Sequence, residues 1–179
     1  MTDMPRPTQT PMGVFESIRT LLAVRSYRDT PVPDDVVRRI VEAARLTGSG
    51  MNRQPWHFIV VRDRTTLRRL GQSASSGPYV AEAPLAIVVA VDKTRFAVSD
   101  ASRAIQSMLL TAWADGVGSN WVGFGGLEPV KALLDIPVEL DVLAILPFGY
   151  PARPLGLGGK RRRPLREVAH QERFGRPFE

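Results

Sequence analysis

The chain has 179 residues, 44% of them hydrophobic and 23% charged, with a formal charge of +6 and no cysteine. That length suits one domain around one core, and the lack of cysteine excludes disulfides, a thiolate nucleophile and any cysteine-bound zinc or iron–sulfur cluster. The charge is local: residues 151–179 carry eight Lys or Arg against three Glu, so +5 of the +6 lies there and the preceding 150 residues are nearly neutral.

Residues 1–12, with Pro5, Pro7 and Pro11 among Thr and Gln and no apolar stretch, read as a frayed leader rather than a signal peptide. No run approaches the ~18 consecutive apolar residues of a membrane span. A cytoplasmic protein is expected. Val14, Ile18, Leu21 and Leu22 recur at helical spacing and predict a first helix from about Met12 to Val24. It delivers the chain to Arg25-Ser26-Tyr27-Arg28. Across one turn, two guanidinium forks with a hydroxyl between them can converge on a phosphate; the plainer reading is a solvated basic turn.

Pro31 and Pro33 keep the next residues extended, and Asp34-Asp35 suit the first turn of a helix that ends at Thr47-Gly48-Ser49-Gly50. After Gln54-Pro55, the aromatic and β-branched run Trp56 to Val61 suits a central strand, which makes His57 a packed core residue. Asp63 or Thr65 caps a short helix through Leu67 and Leu70. Pro84 to Val91 is a second buried strand, and the lack of clean alternation in both strands predicts a sheet covered on both faces.

Ser99 or Asp100 can cap the longest helix, Ala101 to about Asp115, stopped by Gly116. Ser119 to Gly123 reads as a short strand, Leu127 to Leu134 as a short helix and Val138 to Gly149 as the last strand. Helices first, then strands and helices mixed, predict an α+β fold with helices on a four- or five-stranded mixed sheet. Residues 151–179 form an extended C-terminal arm of the same single domain.

Several chemistries fail on spacing. Gly123-Phe124-Gly125-Gly126 begins like a dinucleotide fingerprint, but Glu128 stands at the third glycine position and no N-terminal βαβ unit precedes it. Gly158-Gly159-Lys160 lacks both the upstream glycine and the following Ser/Thr of a phosphate loop. His57 and His170 have no second ligand at helical spacing, so no metal is expected. There is no G-x-S-x-G elbow for a hydrolase. The basic run Lys160 to Arg163 lacks interleaved aromatics, and the neutral body offers no second footprint, so nucleic acid is not the expected partner.

Asn52-Arg53-Gln54-Pro55-Trp56-His57-Phe58 places amide donors and acceptors at a turn before an aromatic strand, as recognition of a ring edge with alternating carbonyls and N–H groups requires, and as an ordinary turn also would. Together with R-S-x-R at Arg25, Ala83-Pro84 before the second strand, Gly116-x-Gly118, Trp121-Val122-Gly123, Gly149-Tyr150-Pro151 and K-x-R-x-P-L from Lys160, this order of motifs resembles the FMN-dependent nitroreductase family over nearly the whole chain.

The resemblance implies a nitroreductase-like fold and an intertwined homodimer with two flavin sites, each built from both chains. Arg25, Ser26 and Arg28 would hold the FMN phosphate and ribityl chain, with Lys160 and Arg162 completing the cradle. Ser49, Gly50, Asn52 and Gln54 would come from the partner, Gln54 and Trp56 bracing the loop or touching the ring. The main chain at Val122 and Gly123 would lie over the ring with an N–H toward N5. The activity implied is ping-pong reduction of nitroaromatics, quinones or similar small electron acceptors by NAD(P)H; the alternative is a non-turnover flavin or deazaflavin carrier or sensor. Three departures stand out: Val24 where many relatives have Arg, Phe124-Gly125 where the family's usual order is G-F, and a short Asp92 to Ala97 connection where longer members carry an insertion.

Overall fold

The computed structural model describes residues 13–123, 126–155 and 160–178; the leader at 1–12, Phe124-Gly125 and Gly158-Gly159 lie outside them. The central element is β2 (Leu85–Asp92), an unbroken apolar run with every residue but the last buried. It pairs antiparallel with β1 (Trp56–Val61) on one side and β4 (Leu140–Gly149) on the other, and β4 pairs with the two-residue β3 (Gly118–Ser119), giving the order β1-β2-β4-β3. All these ladders are antiparallel. The parallel component of the expected mixed sheet is confined to an isolated bridge between Ala23 and Ser119.

Because successive strand residues face opposite sides, β2 feeds two cores. Leu85, Ile87, Val89 and Val91 pack under α2 (Asp34–Arg45) and α4 (Ala97–Ala114), while Ala86, Val88 and Ala90 face α3 (Arg64–Ser73) and α5 (Glu128–Leu133). Both faces are therefore covered, as the missing alternation predicts. Gly71 of α3 lies so close to the Pro78–Glu82 turn that a Cβ would come within 2.9 Å of the Ala81 backbone nitrogen, which fixes glycine there.

Three expectations are corrected. The strand at Trp56 is an edge, not the centre, so His57 is half exposed, with Nε2 3.3 Å from Asp92 Oδ1 rather than packed in the core. The first helix, α1 (Val14–Thr20), stops at Leu21, whose ψ of 124° turns the chain extended; Arg25 and Arg28 are thus not on a helical turn. The longest helix starts earlier, at Ala97 after Phe96, and neither Ser99 nor Asp100 caps it.

Asp63 does cap α3, its carboxylate accepting from the Thr66 N–H at 2.8 Å and from the Thr66 hydroxyl. Those bonds hold its pKa below the usual 3.8. A depressed folded pKa contributes stability above the unfolded value that is lost as pH falls through the folded one. Asp63→Ala is expected to lower the melting temperature by about 2–4 °C at neutral pH, whereas Asp63→Asn keeps an acceptor and stays near wild type there. Below the carboxylate range the wild-type advantage over Asp63→Ala narrows, because the charge-assisted part of the bonds is lost while the protonated carboxyl still accepts. Thermal melts across that range check both statements, and a constant gap would contradict the cap.

Candidate functional site

After Leu21 the chain runs extended across the sheet end. Val24 N–H donates to Ser119 O at 2.9 Å, and Tyr27 bridges Pro151, with Arg28 N–H on Tyr150 O and Ala152 N–H on Ser26 O. This stitching buries Val24 and Tyr27 and leaves Arg25, Ser26 and Arg28 exposed. The Tyr27 hydroxyl donates to Val24 O at 2.6 Å, and burial pushes its pKa far above the ordinary phenol range. Tyr27 is thus a neutral peg on which the arginines are mounted.

Arg25 and Ser26 line a cleft of ≈ 250 Å³ together with Val24, Pro151, Arg153 and Leu155. Arg28 lines the neighbouring cleft of ≈ 340 Å³ with Thr20, Trp113 and Gly116, and Pro151, Arg153 and Leu155 border both. Arg25 and Arg28 thus line two different clefts rather than converging on one, and Arg153 borders both. Arg28 instead donates through Nε to Pro151 O at 2.9 Å, locking the segment that carries Arg153. Arg153 was visible only as one of the tail's cations, since no local motif contains it.

Among the described residues, Arg25, Arg28 and Arg153 line clefts without a carboxylate partner, whereas the other unpaired arginines of the body, Arg38, Arg53, Arg68, Arg69 and Arg95, line neither cleft. Arg19, Arg39, Arg45, Arg62, Arg64 and Arg103 all pair with carboxylates. Among the described residues Arg25, Arg28, Arg153, Lys160 and Arg162 make no ion pair; Arg25 has only the Tyr79 ring, 6.0 Å from its Cζ. Lys160 reaches the C-terminal end of α1, donating to Ile18 O at 2.7 Å, and Arg162 donates to Arg161 O. Desolvation, then the Arg162 and Arg19 guanidiniums, hold the Lys160 pKa below the usual lysine range. Unpaired guanidiniums and a hydroxyl around a cleft form a donor set suited to a phosphate dianion.

The second set of residues lies elsewhere in the chain. Gly50 N–H donates to Asp100 Oδ2 at 3.0 Å, in the first turn of α4, and Ser49 Oγ accepts from Gln54 N–H at 2.9 Å. Gln54 Nε2 lies 3.3 Å from both Asn52 O and Oδ1, so Gln54 braces the loop. Trp56 is buried and stacks on Phe58, which makes it a brace too. Arg28 and Trp113 share a cleft at the other end of α4. Thirteen residues of helix separate Asp100 from Trp113, about 20 Å at 1.5 Å per residue.

Val122 is buried, and its N–H donates to Ile145 O at 3.0 Å, so that N–H is already engaged. At Gly123 a Cβ would sit 2.6 Å from Trp121 Nε1 and 2.7 Å from Leu143 O. Only glycine fits between that indole and the strand carbonyl.

Fold and site together define an α+β protein with a cationic cleft suited to a phosphorylated small molecule. The sequence profile of the nitroreductase family matches residues 19–94 and 75–150. A protein of Methanothermobacter thermautotrophicus named "Putative NADH dehydrogenase/NAD(P)H nitroreductase" is 36% identical over 154 residues, covering 81% of each chain. A crystal structure of a Parabacteroides distasonis protein of the same name superposes with a TM-score of 0.82 at 28% identity, over 88% of this chain and 96% of that one. An FMN-dependent nitroreductase of Clostridium difficile superposes with a TM-score of 0.75 at 28% identity, over 78% and 88%. The chain belongs to the nitroreductase family and is an oxidoreductase with its fold. Among the described residues no helix is long and apolar enough to cross a membrane.

Proposed function

We propose that the protein is a cytoplasmic homodimer that uses FMN to reduce nitroaromatics, quinones or similar electron-poor planar compounds with NAD(P)H. The observation that carries this reading is the division of the candidate residues between the two ends of α4. A cationic cleft lies at one end and an amide-bearing loop at the other, so the two candidate sets stand about the length of α4 apart. Two antiparallel copies would bring the loop of one to the cleft of the other.

In this reading Arg25, Ser26 and Arg153 hold the phosphate, with Lys160 and Arg162 adding positive charge from the arm. A dianion carrying about two charges neutralises guanidiniums that otherwise have no carboxylate partner. Arg28 positions this half by holding Pro151. Asn52 offers its amide to the ring edge from the partner chain, on a loop fixed through Ser49 and Gly50 and braced by Gln54, and Gly123 lets the main chain approach closely. Val122 supports Gly123 through its pairing with Ile145. Bound FMN would supply the hydride chemistry, accepting from NAD(P)H and donating to the oxidant in turn. No side chain of the cleft is required as a nucleophile, and one open face used alternately by donor and acceptor gives ping-pong kinetics.

The purified protein should be yellow, bleach anaerobically with NADPH or NADH and recolour on adding a quinone. Flavin that binds but never bleaches with either nicotinamide would point instead to a carrier or sensor. Salt-sensitive RNA retention without flavin would overturn the reading altogether.

A further inference from the structure

We infer that Asp100 is a positioning residue whose buried carboxylate holds the Ser49 to Gln54 loop in the shape that presents Asn52 to the flavin of the partner chain. The inference rests on the homodimeric flavin reading above.

Asp100 is 1% exposed, deeper than any other charged residue among those described. A carboxylate is retained at such depth only when its oxygens are satisfied. Here Oδ1 pairs with Arg103, one turn along α4, and Oδ2 accepts the Gly50 N–H at 3.0 Å. Neither oxygen is spent on the backbone of α4 itself, and Oδ2 reaches outside its helix. Gly50 itself sits against both Asp100 and the Phe96 ring, each 3.5 Å from where a Cβ would be.

What Asp100 holds is a conformation that does not hold itself. Met51, Asn52 and Gln54 all have φ between 50° and 53°, the left-handed region that non-glycine residues rarely occupy. Such residues persist only where their surroundings over-determine them. The bonds from Asn52 N–H to Ser49 O, Arg53 N–H to Gly50 O and Gln54 N–H to Ser49 Oγ are all internal to the loop. Packing adds little, because residues 51–54 are exposed. Among the described residues, Gly50 to Asp100 is the one hydrogen bond tying residues 49–54 to a distant element. A buried acid has thus been placed where it fixes the entry to a strained, solvent-facing turn carrying the amides of the proposed site.

Trypsin reads the loop directly, since Arg53 lies within it, and needs no flavin. In the full-length apoprotein, Asp100→Ala is expected to speed cleavage after Arg53 about tenfold or more and to weaken FMN, titrated by its fluorescence, by about tenfold. Asp100→Asn keeps an acceptor for Gly50 and should restore both to within a few-fold of wild type. Gly50→Pro removes the donor from the other side. Ser49 is extended, with φ −126° and ψ 158°, as a residue before proline must be, and the ring carbon that replaces the N–H pushes the loop off Asp100 Oδ2. It should reproduce the Asp100→Ala pattern, and it keeps the test open if Asp100→Ala fails to fold. Melting temperatures that fall while Arg53 cleavage and FMN affinity stay at wild-type values would overturn the inference and leave Asp100 a purely structural residue. A wild-type protein that binds no FMN would overturn the flavin reading instead, whatever happens at Arg53.

Discussion

Arg25→Ala is expected to weaken FMN binding by about 10- to 100-fold, the loss of a hydrogen bond to a charged group worth about 1.5–3 kcal/mol. The loss should be confined to binding. Arg25 is exposed and makes no ion pair among the described residues, so removing it strands no carboxylate, and the apoprotein should melt within about a degree or two of wild type. Arg64→Ala is the contrast: that guanidinium binds Asp29 Oδ1 at 2.6 Å and Ala83 O at 3.2 Å, so its loss falls on stability and not on flavin. Arg162→Ala should fall in the same range as Arg25→Ala. Fluorescence titration of the apoproteins measures all three, and unchanged FMN affinity in both the Arg25 and Arg162 variants would mean that the phosphate lies elsewhere.

Much of the scaffold behind that prediction is legible in the sequence, because it rests on short-range rules. The Trp56–Val61 strand is bounded by Pro55 and the Asp63 cap, and both limits agree with the structure. The β2 run has no polar residue before Asp92, so its burial on both faces follows directly. The misses share a different cause, since each depends on a neighbour distant in sequence. Aromatic and β-branched residues make a strand but do not say whether it lies at the centre or the edge, and His57 followed that ambiguity into the wrong environment. Leu21 and Leu22 continue the helical spacing of α1, yet the chain leaves the helix so that Val24 can pair with Ser119, about a hundred residues on.

The site divides in the same way. Arg25 and Ser26 announce themselves as a motif, and so do Asn52 and Gln54. Arg153 enters only because Tyr27 and Arg28 fasten residues 150–152 beside them. Asp100 looked like a helix cap by spacing alone. Its contact with Gly50 spans fifty residues, and no periodicity records it. Motifs disclose groups that neighbours in sequence position, whereas groups that act on a remote loop become visible only in three dimensions.

A mixed dimer should regain tight FMN binding that neither parent has. One chain would carry Arg25→Ala and Arg153→Ala, removing two guanidiniums from the cleft. The other would carry Asn52→Gly and Gln54→Gly, removing both amides, the Gln54 brace included, at positions whose left-handed φ glycine adopts without strain. Each parent homodimer has two damaged sites; the double-arginine parent should bind FMN at least 100-fold more weakly than wild type if the two losses add. In the mixed dimer the cleft of the second chain meets the loop of the first, and both are intact. Co-expression with two affinity tags and sequential purification should therefore yield one site of wild-type affinity per dimer, or half an FMN per chain. If cleft and loop of one chain served the same flavin, the mixed dimer would have two damaged sites and no tight binding at all. The division of the two halves between opposite ends of α4 is what favours the shared arrangement.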